Sequence, residues 1–103
     1  MKEIKCLVDD IKDELEGAER YAKLALQYKH TDRQLADIYA KLAGVESEHV
    51  TILHDQVVRL IKEHKEEGND IPPAMQAVYD WEHEKMIDNL TRVKCITSMY
   101  RGS

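Results

Sequence analysis

The sequence predicts an all-α protein of three long helices, and two observations lead to that fold class. Apolar residues recur through three stretches of the 103-residue chain with a period near 3.6, which is the spacing of one helix face. Two short breaks, YKHTDRQ and EEGNDIPP, separate these stretches, and no stretch alternates as a strand would. We therefore expect helices over about residues 2–29, 32–67 and 73–100, in a single domain of residues 1–103.

The first helix carries a regular apolar stripe with one interruption. Gly17 lies within it and costs about 1 kcal/mol relative to Ala. A glycine in the middle of a helix often marks the close approach of a neighbouring backbone. The stripe consists of Ile4, Leu7, Val8, Ile11, Leu15, Ala18, Ala22, Ala25 and Leu26.

Local signals predict where the helices start and stop. Thr31 followed by Gln34 has the spacing of a capping box, which predicts that the second helix begins at Asp32. Gly68 suits the end of that helix, and the prolines at 72–73 can begin the third helix but not continue the second. Because the first break is so short, the first two helices must form an antiparallel hairpin.

The second helix places two ionisable residues among apolar ones. At roughly 100° per residue, Glu46 falls near the middle of its apolar stripe, and His49 lies at the edge of that stripe. An ionised carboxylate inside a helical core is costly unless something pairs with it. A carboxylate and an imidazole at positions i and i+3 of one inward face can bind a metal ion. The stripe consists of Leu35, Tyr39, Leu42, Leu53, Val57 and Leu60.

The hairpin geometry predicts a partner for Glu46 on the first helix. Glu14 lies as many residues before the turn near His30 as Glu46 lies after it. The two carboxylates should therefore lie at the same height, that is, at the same position along the axis of the helix pair. Glu16 faces outward, and Glu19 is too near the turn. Glu14, Glu46 and His49 therefore form a predicted oxygen and nitrogen ligand set that suits iron, manganese or zinc.

These residues resemble the first helix pair of rubrerythrins and of the wider ferritin-like di-iron superfamily. The similar segments are EGAERYAKLAL and LADIYAKLAGVESEHV, within roughly residues 7–60. In that family, a Glu precedes a Tyr by seven residues, as Glu14 precedes Tyr21, and an Ala precedes the Glu-x-x-His motif by three residues, as Ala43 precedes Glu46 and His49. The family also has a second ligand-bearing helix pair, which this chain lacks.

The resemblance implies that a second copy completes the site. Two such hairpins related by a two-fold axis would form a ferritin-like four-helix bundle, similar in principle to small encapsulated ferritins, with two iron ions per homodimer or higher even oligomer. Manganese or zinc could replace the iron. The implied function is iron oxidation, or reduction of peroxide or dioxygen, with Tyr21 or Tyr39 as a nearby electron or hydrogen-bond donor. The electron donor stays unknown, because the chain has no rubredoxin-like cysteine knuckle.

Several alternatives stay open at this stage. A register shift could pair Glu46 with Lys23 or Arg20, and His49 could bond to Glu46 without a metal. The whole chain would then be a metal-free structural or interaction module on the same scaffold.

The third helix offers its own candidate ligands. Glu82 and His83 could form a second metal site with His64. Counting from the second break puts Lys94 level with Glu46, so Glu82 should lie about 18 Å too far along the axis to join the first site.

Composition narrows the partners and the compartment. The formal net charge of −5 argues against a nucleic-acid or anionic-membrane surface, and no apolar run is long enough to span a bilayer. Cys6 and Cys95 show no metal-binding or redox spacing. We therefore expect two free, partly buried thiols and a cytoplasmic location.

Overall fold

The computed structural model describes residues 2–102, which form three α-helices. Helix α1 spans Lys2–Tyr28, α2 spans Arg33–Glu66 and α3 spans Pro73–Arg101. No strand occurs within the described range, so the prediction of an all-helical chain with three helices is confirmed. Each boundary differs from the expected one by no more than one residue. None of these helices has a stretch that is both long and apolar enough to cross a membrane.

A cap residue, a glycine and two prolines define the breaks between the helices. Asp32 is the N-cap of α2, and its side chain accepts a hydrogen bond of 3.1 Å from the backbone N–H of Leu35. The predicted capping box at Thr31 is therefore wrong by one residue, because the Asp32 carboxylate is at least as good a cap. After α2, Gly68 adopts a φ of +83°, which side-chain-bearing residues rarely adopt. Pro72 and Pro73 then start α3.

The three helices form a rod of about 56 × 18 × 17 Å, with α1 in the middle. Helix α1 packs along α2 as an antiparallel hairpin, and it also packs against α3. Helices α2 and α3 pack on each other only sparsely. The α1–α2 contact therefore fixes the relative height of residues on these two helices. The α2–α3 gap stays open enough for cavities to form.

The buried seam of the hairpin repeats every seven residues, the spacing that keeps two long helices in continuous contact. Near the α1–α2 turn the buried residues are mostly alanines, whose small side chains let the two backbones approach closely. Toward the opposite end, larger residues such as Ile11, Val50 and Met86 fill the core. On α2 the buried row is Ala36, Ala43, Val50 and Val57.

The apolar stripe predicted on α2 is not its buried face. Of its six residues only Val57 is buried, Leu42 is exposed, and the others are half-buried. Helix α1 packs instead against the buried row of two alanines and two valines, whose centre lies roughly 60° further round the helix. The apolar surface of α2 is therefore wider than its neighbours in this chain cover. Its uncovered part, called here the open α2 face, consists of Ile38, Leu42, Val45 and Ile52.

The two cysteines do not have the predicted environment. Cys6 and Cys95 are free, as expected, but both are exposed rather than partly buried. Each lies on a helix between the apolar positions that face the core, so the seven-residue seam leaves it on the solvent side.

A polar cluster ties the C-terminal end of α3 to the start of α2. The buried Tyr100 donates a hydrogen bond to the carboxylate of Asp37. Arg33 completes the cluster: its Nε lies 3.2 Å from Asp37 Oδ1, and its guanidinium lies 5.0 Å from the centre of the Tyr100 ring. Nearby, the buried Lys29 donates to the backbone carbonyl of Met99 at 2.9 Å. The hydrogen bond from Tyr100 lowers the pKa of Asp37, and the same bond raises the pKa of Tyr100.

We predict that Tyr100→Phe lowers the midpoint of thermal unfolding by a few degrees at neutral pH, because it removes the hydrogen bond from the buried hydroxyl to Asp37 and leaves only that from Arg33. A lowered carboxyl pKa gives stability above its ordinary value, about 4, that is lost as the pH falls. A raised phenol pKa gives stability below about 10 that is lost as the pH rises. The difference between the two proteins should therefore be constant between these limits and shrink beyond them.

The matched control is Tyr28→Phe. Tyr28 is half-buried in the same end of the rod, and its hydroxyl forms no hydrogen bond with residues 2–102. An equal loss of stability in both variants, measured by calorimetry, would contradict the role given to the Tyr100 hydroxyl.

Candidate metal centre

Three predicted ligands converge midway along the hairpin. Glu14 comes from α1, and Glu46 and His49 come from α2. One ligand atom from each side chain lies within 4.8 Å of the other two. The two glutamates are half-buried, and His49 is exposed at the edge of the group.

The fold brings these residues together through simple geometry. Glu14 and Glu46 lie equally far from the α1–α2 turn along an antiparallel pair, so equal rise per residue places them side by side. Glu46 and His49 are three residues apart, which puts them on one face of α2. The group lies beside the buried alanine and valine row, not on it.

The pKa values of the two carboxyl groups are shifted in opposite directions. Glu14 and Glu46 are hydrogen-bonded, and this bond lowers the pKa of Glu14 while it raises the pKa of Glu46. Burial and the negative charge of Glu14 raise the pKa of Glu46 further. The imidazole of His49 lies with Nδ1 3.2 Å from Glu14 Oε2 and favours the ionised form of Glu14. As the pH falls, Glu46 therefore takes up a proton before Glu14 does.

Gly17 makes room for the Glu46 carboxylate. A Cβ atom at position 17 would lie 3.1 Å from Glu46 Oε2, closer than an ordinary van der Waals contact. The sequence suggested that a neighbouring backbone approaches this glycine, but the close neighbour is a side chain. Because Gly17 has no Cβ atom, the Glu46 carboxylate can lie close to α1 and near Glu14.

The basic residues near the group are engaged elsewhere. Lys23 lies 3.8 Å from Glu19, and the Arg20 guanidinium lies 5.6 Å from the centre of the Tyr21 ring. Throughout residues 2–102, no lysine or arginine forms an ion pair with Glu14 or Glu46. The alternative in which Lys23 or Arg20 neutralises Glu46 is therefore not what the structure contains.

His49 is the most exposed member of the group. The side chain of Glu14 is 28% exposed and that of His49 is 46% exposed. His49 lies on the same side of α2 as Ile38, Val45 and Ile52, so its exposed edge adjoins the open α2 face. The sequence placed these ligands inside an apolar seam, whereas in this chain they line its rim.

The predicted tyrosines form a stack of their own. The rings of Tyr21 and Tyr39 have centroids 5.9 Å apart, and Tyr39 also stacks on Tyr28 at 6.1 Å. Tyr21 follows Glu14 by seven residues, which is about 10 Å along the helix. Neither Tyr21 nor Tyr39 forms a hydrogen bond with the three ligands in the described part of the chain. Their role as electron or hydrogen-bond donors stays a prediction.

The second set of candidate ligands is not assembled as the sequence suggested. Glu82 forms an ion pair of 2.9 Å with Lys12, and His83 faces His54 across the α2–α3 gap. His64 lines a different cavity, together with residues near the start of α1. Glu82, His83 and His64 therefore do not form one site.

The predicted position of α3 along the long axis, relative to α2, is also corrected. His83 lies level with His54, which follows Glu46 by eight residues, so the residue level with Glu46 is about Thr91 rather than Lys94. Glu82 nevertheless stays outside the group of Glu14, Glu46 and His49, as the sequence predicted.

Comparison with known proteins adds no further information. The chain matches none of the protein-family models, none of the curated proteins and none of the solved structures with which it was compared.

We predict that Glu46→Gln raises the thermal midpoint of the metal-free protein by a few degrees at pH 7. The raised pKa of Glu46 means that its neutral form stabilises the fold at low pH and that this stability is lost as the pH rises. A neutral amide should restore it and keep a hydrogen bond to Glu14, so the gain should vanish near pH 4.

Calorimetry in the presence of a chelator measures the effect, and Glu48→Gln is the matched control on an exposed position of the same helix. A Glu46→Gln variant that is less stable than the parent at pH 7 would contradict the raised pKa of Glu46.

Proposed function

We propose that this chain is a ferritin-like metal-binding protein, and that Glu14, Glu46 and His49 form half of a carboxylate-bridged di-iron centre. The observation that carries the proposal is the convergence of two carboxylates and an imidazole without a neutralising lysine or arginine. Bringing two acidic groups together costs free energy, and a bound cation would repay it.

The donor set fits the proposed ion. Two carboxylate oxygens and one imidazole nitrogen suit iron, manganese or zinc and do not suit a soft thiophilic metal. Atoms that bind one such ion lie within about 4 Å of one another, since each bond is about 2.0–2.2 Å. The present spread of up to 4.8 Å closes with small side-chain rotations. Because a carboxylate must be deprotonated to bind an ion, the raised pKa of Glu46 makes binding weaker as the pH falls.

Residues 2–102 of one chain bring three ligands together, which favours a shared site. A second copy related by a two-fold axis would raise the inventory to four Glu and two His, the set found in di-metal helix bundles. The open α2 face supports this arrangement. It exposes Ile38, Val45 and Ile52 at intervals of seven residues beside His49, the pattern by which one helix packs along another.

Each ligand has a role in this arrangement. Glu46 would bridge the two ions, and Glu14 and His49 would each bind one of them. The chemistry that two bound ferrous ions supply is transfer of two electrons, either to peroxide, which with two protons leaves as two waters, or to dioxygen, which with two protons leaves as peroxide. The stacked Tyr21 and Tyr39 lie in the same hairpin and could return an electron to the site.

The second candidate is a metal-free helical interaction module. It is favoured by the hydrogen bonds through which Glu14, Glu46 and His49 already satisfy one another, and by the open α2 face, which could bind another protein. The two candidates differ in metal uptake, which a direct titration measures.

We expect the protein to bind about one Fe(II) per chain under anaerobic conditions and to develop a near-ultraviolet ferric band in air. The Glu46→Ala, His49→Ala double variant should lose both, because it removes two of the three ligands. Unchanged iron uptake by this variant, measured by calorimetry and metal analysis, would eliminate the di-iron proposal and leave the interaction module.

A pair of glycine variants makes the test sharper. Gly17→Ala places a methyl group against the Glu46 carboxylate, whereas Gly44→Ala meets nothing within 4 Å. Both should gain up to about 1 kcal/mol of helix stability, but only Gly17→Ala should weaken iron binding. Equal affinities in the two variants would show that the position of the Glu46 carboxylate does not matter.

We predict that Ile38→Lys shifts the protein toward monomer and weakens iron binding without touching a ligand. Ile38 is 50% exposed on the open α2 face, and its matched control is Val78→Lys, since Val78 is 55% exposed on α3. Sedimentation at micromolar concentration measures the association. A parent protein that is monomeric with iron bound would contradict the shared site.

A further inference from the structure

A cavity of about 380 Å³ lies between the three helices, toward the α2–α3 connection. Its floor is apolar and includes Ile11, Val57 and Met86. Two histidines stand at its rim, His54 on α2 and His83 on α3. The cavity exists because α2 and α3 pack on each other sparsely. Residues of both helices line it, although the two helices have few other contacts.

The two imidazole rings face each other across this gap. Their centroids are 5.3 Å apart, and their planes are inclined by 32°. His54 is half-buried and His83 is exposed, so the pair is accessible from solvent. The sequence does not indicate this pair, because the residues lie on different helices whose relative height depends on tertiary packing.

The distance between the rings fits a pair of ligands on one ion. A tetrahedral ion bonds each imidazole nitrogen at about 2.0–2.1 Å. The centre of each ring lies about 1 Å beyond its nitrogen, so two rings on one ion have centroids about 5 Å apart. The observed distance of 5.3 Å between the ring centroids matches this spacing.

The nitrogens of both rings are available as ligands. Within residues 2–102, neither His54 nor His83 forms a hydrogen bond or an ion pair with another side chain. This differs from His49, which is bonded to Glu14. An imidazole without a protein partner on either nitrogen keeps its lone pair for an ion.

The charges around the pair also permit a cation. Lys12 is neutralised by Glu82 at 2.9 Å, and Lys85 lies over the Trp81 ring at 4.3 Å. The carboxylate of Asp80 lines the same cavity. It precedes His83 by three residues on α3, the spacing of two groups on one helix face.

We propose that His54 and His83 form a second metal site, which bridges α2 and α3 and binds a late first-row divalent cation such as Zn(II), Ni(II) or Cu(II). Imidazole ligands prefer these ions to the harder ions that carboxylates select. The site is separate from the group of Glu14, Glu46 and His49, since His54 lies about 140° around α2 from His49. A bound ion links α3 to α2 and thereby stabilises the docking of α3.

Copper titration of the full chain tests the site. We use His49→Ala protein as the background, so that the imidazole of the first site contributes no signal. One equivalent of Cu(II) should show an electron paramagnetic resonance spectrum with coupling to two imidazole nitrogens. Adding His54→Ala or His83→Ala should remove that coupling and weaken binding by about tenfold or more, because a chelate becomes a single ligand.

The matched control is His64→Ala in the same background. His64 is a half-buried histidine of α2 that lines another cavity, and its loss should leave both the spectrum and the affinity unchanged. Retention of the two-nitrogen signal after His54→Ala or His83→Ala overturns the proposal, as does its loss after His64→Ala.

Thermal unfolding gives a second readout that does not depend on copper spectroscopy. Zn(II) should raise the unfolding midpoint of the His49→Ala protein but not that of the variant that also lacks His83. Position 83 is exposed, so this variant keeps the fold, and circular dichroism verifies it. An equal midpoint shift in both proteins overturns the proposal. Because all proteins compared lack His49 and keep Glu14 and Glu46, any ion at the first site contributes equally to each, and the difference between the midpoint shifts reports on the His54–His83 pair alone.

Discussion

The antiparallel packing of α1 on α2 is the constraint on which the rest of the structure depends. The buried alanines at seven-residue intervals hold the two backbones close and fix their relative height. That height places Glu14 against Glu46, and the i, i+3 spacing adds His49. A slip of one residue in the packing would move the carboxylates by about 1.5 Å along the axis and rotate them apart by about 100°. The packing of α1 on α2 therefore determines the geometry of the candidate site.

The same hairpin shows where stability is given up for the candidate site. Gly17 weakens α1 but leaves space for the Glu46 carboxylate, and two acidic groups lie together at the rim of an apolar seam, where their proximity raises the pKa of Glu46. Neither feature helps a metal-free three-helix scaffold to fold. Natural sequences keep such local costs mainly at functional sites. The His54–His83 pair is different, because its two residues lie on different helices and their proximity depends on the spacing of α2 and α3.

The sequence predicted those features that depend on local signals or on one hairpin. Proline, glycine and cap residues located the helix ends to within one residue, and equal counts from one turn matched Glu14 with Glu46. Periodicity could not show which part of a wide apolar surface on α2 is covered, so Leu42 was placed in the core although it is exposed. The predicted axial position of α3 relative to α2 was wrong, because it depends on how the three helices pack. The pairing of His54 with His83 was missed for the same reason.

The most direct measurement of the central claim is anomalous scattering at the iron edge from crystals grown with Fe(II). Two ions are predicted, each bound by Glu14 and His49 of one copy, with the Glu46 carboxylates of both copies between them. A difference map without an anomalous peak among these side chains, in crystals where iron is bound elsewhere, would contradict the account. The acidic pair would then be a structural hydrogen bond in a metal-free hairpin.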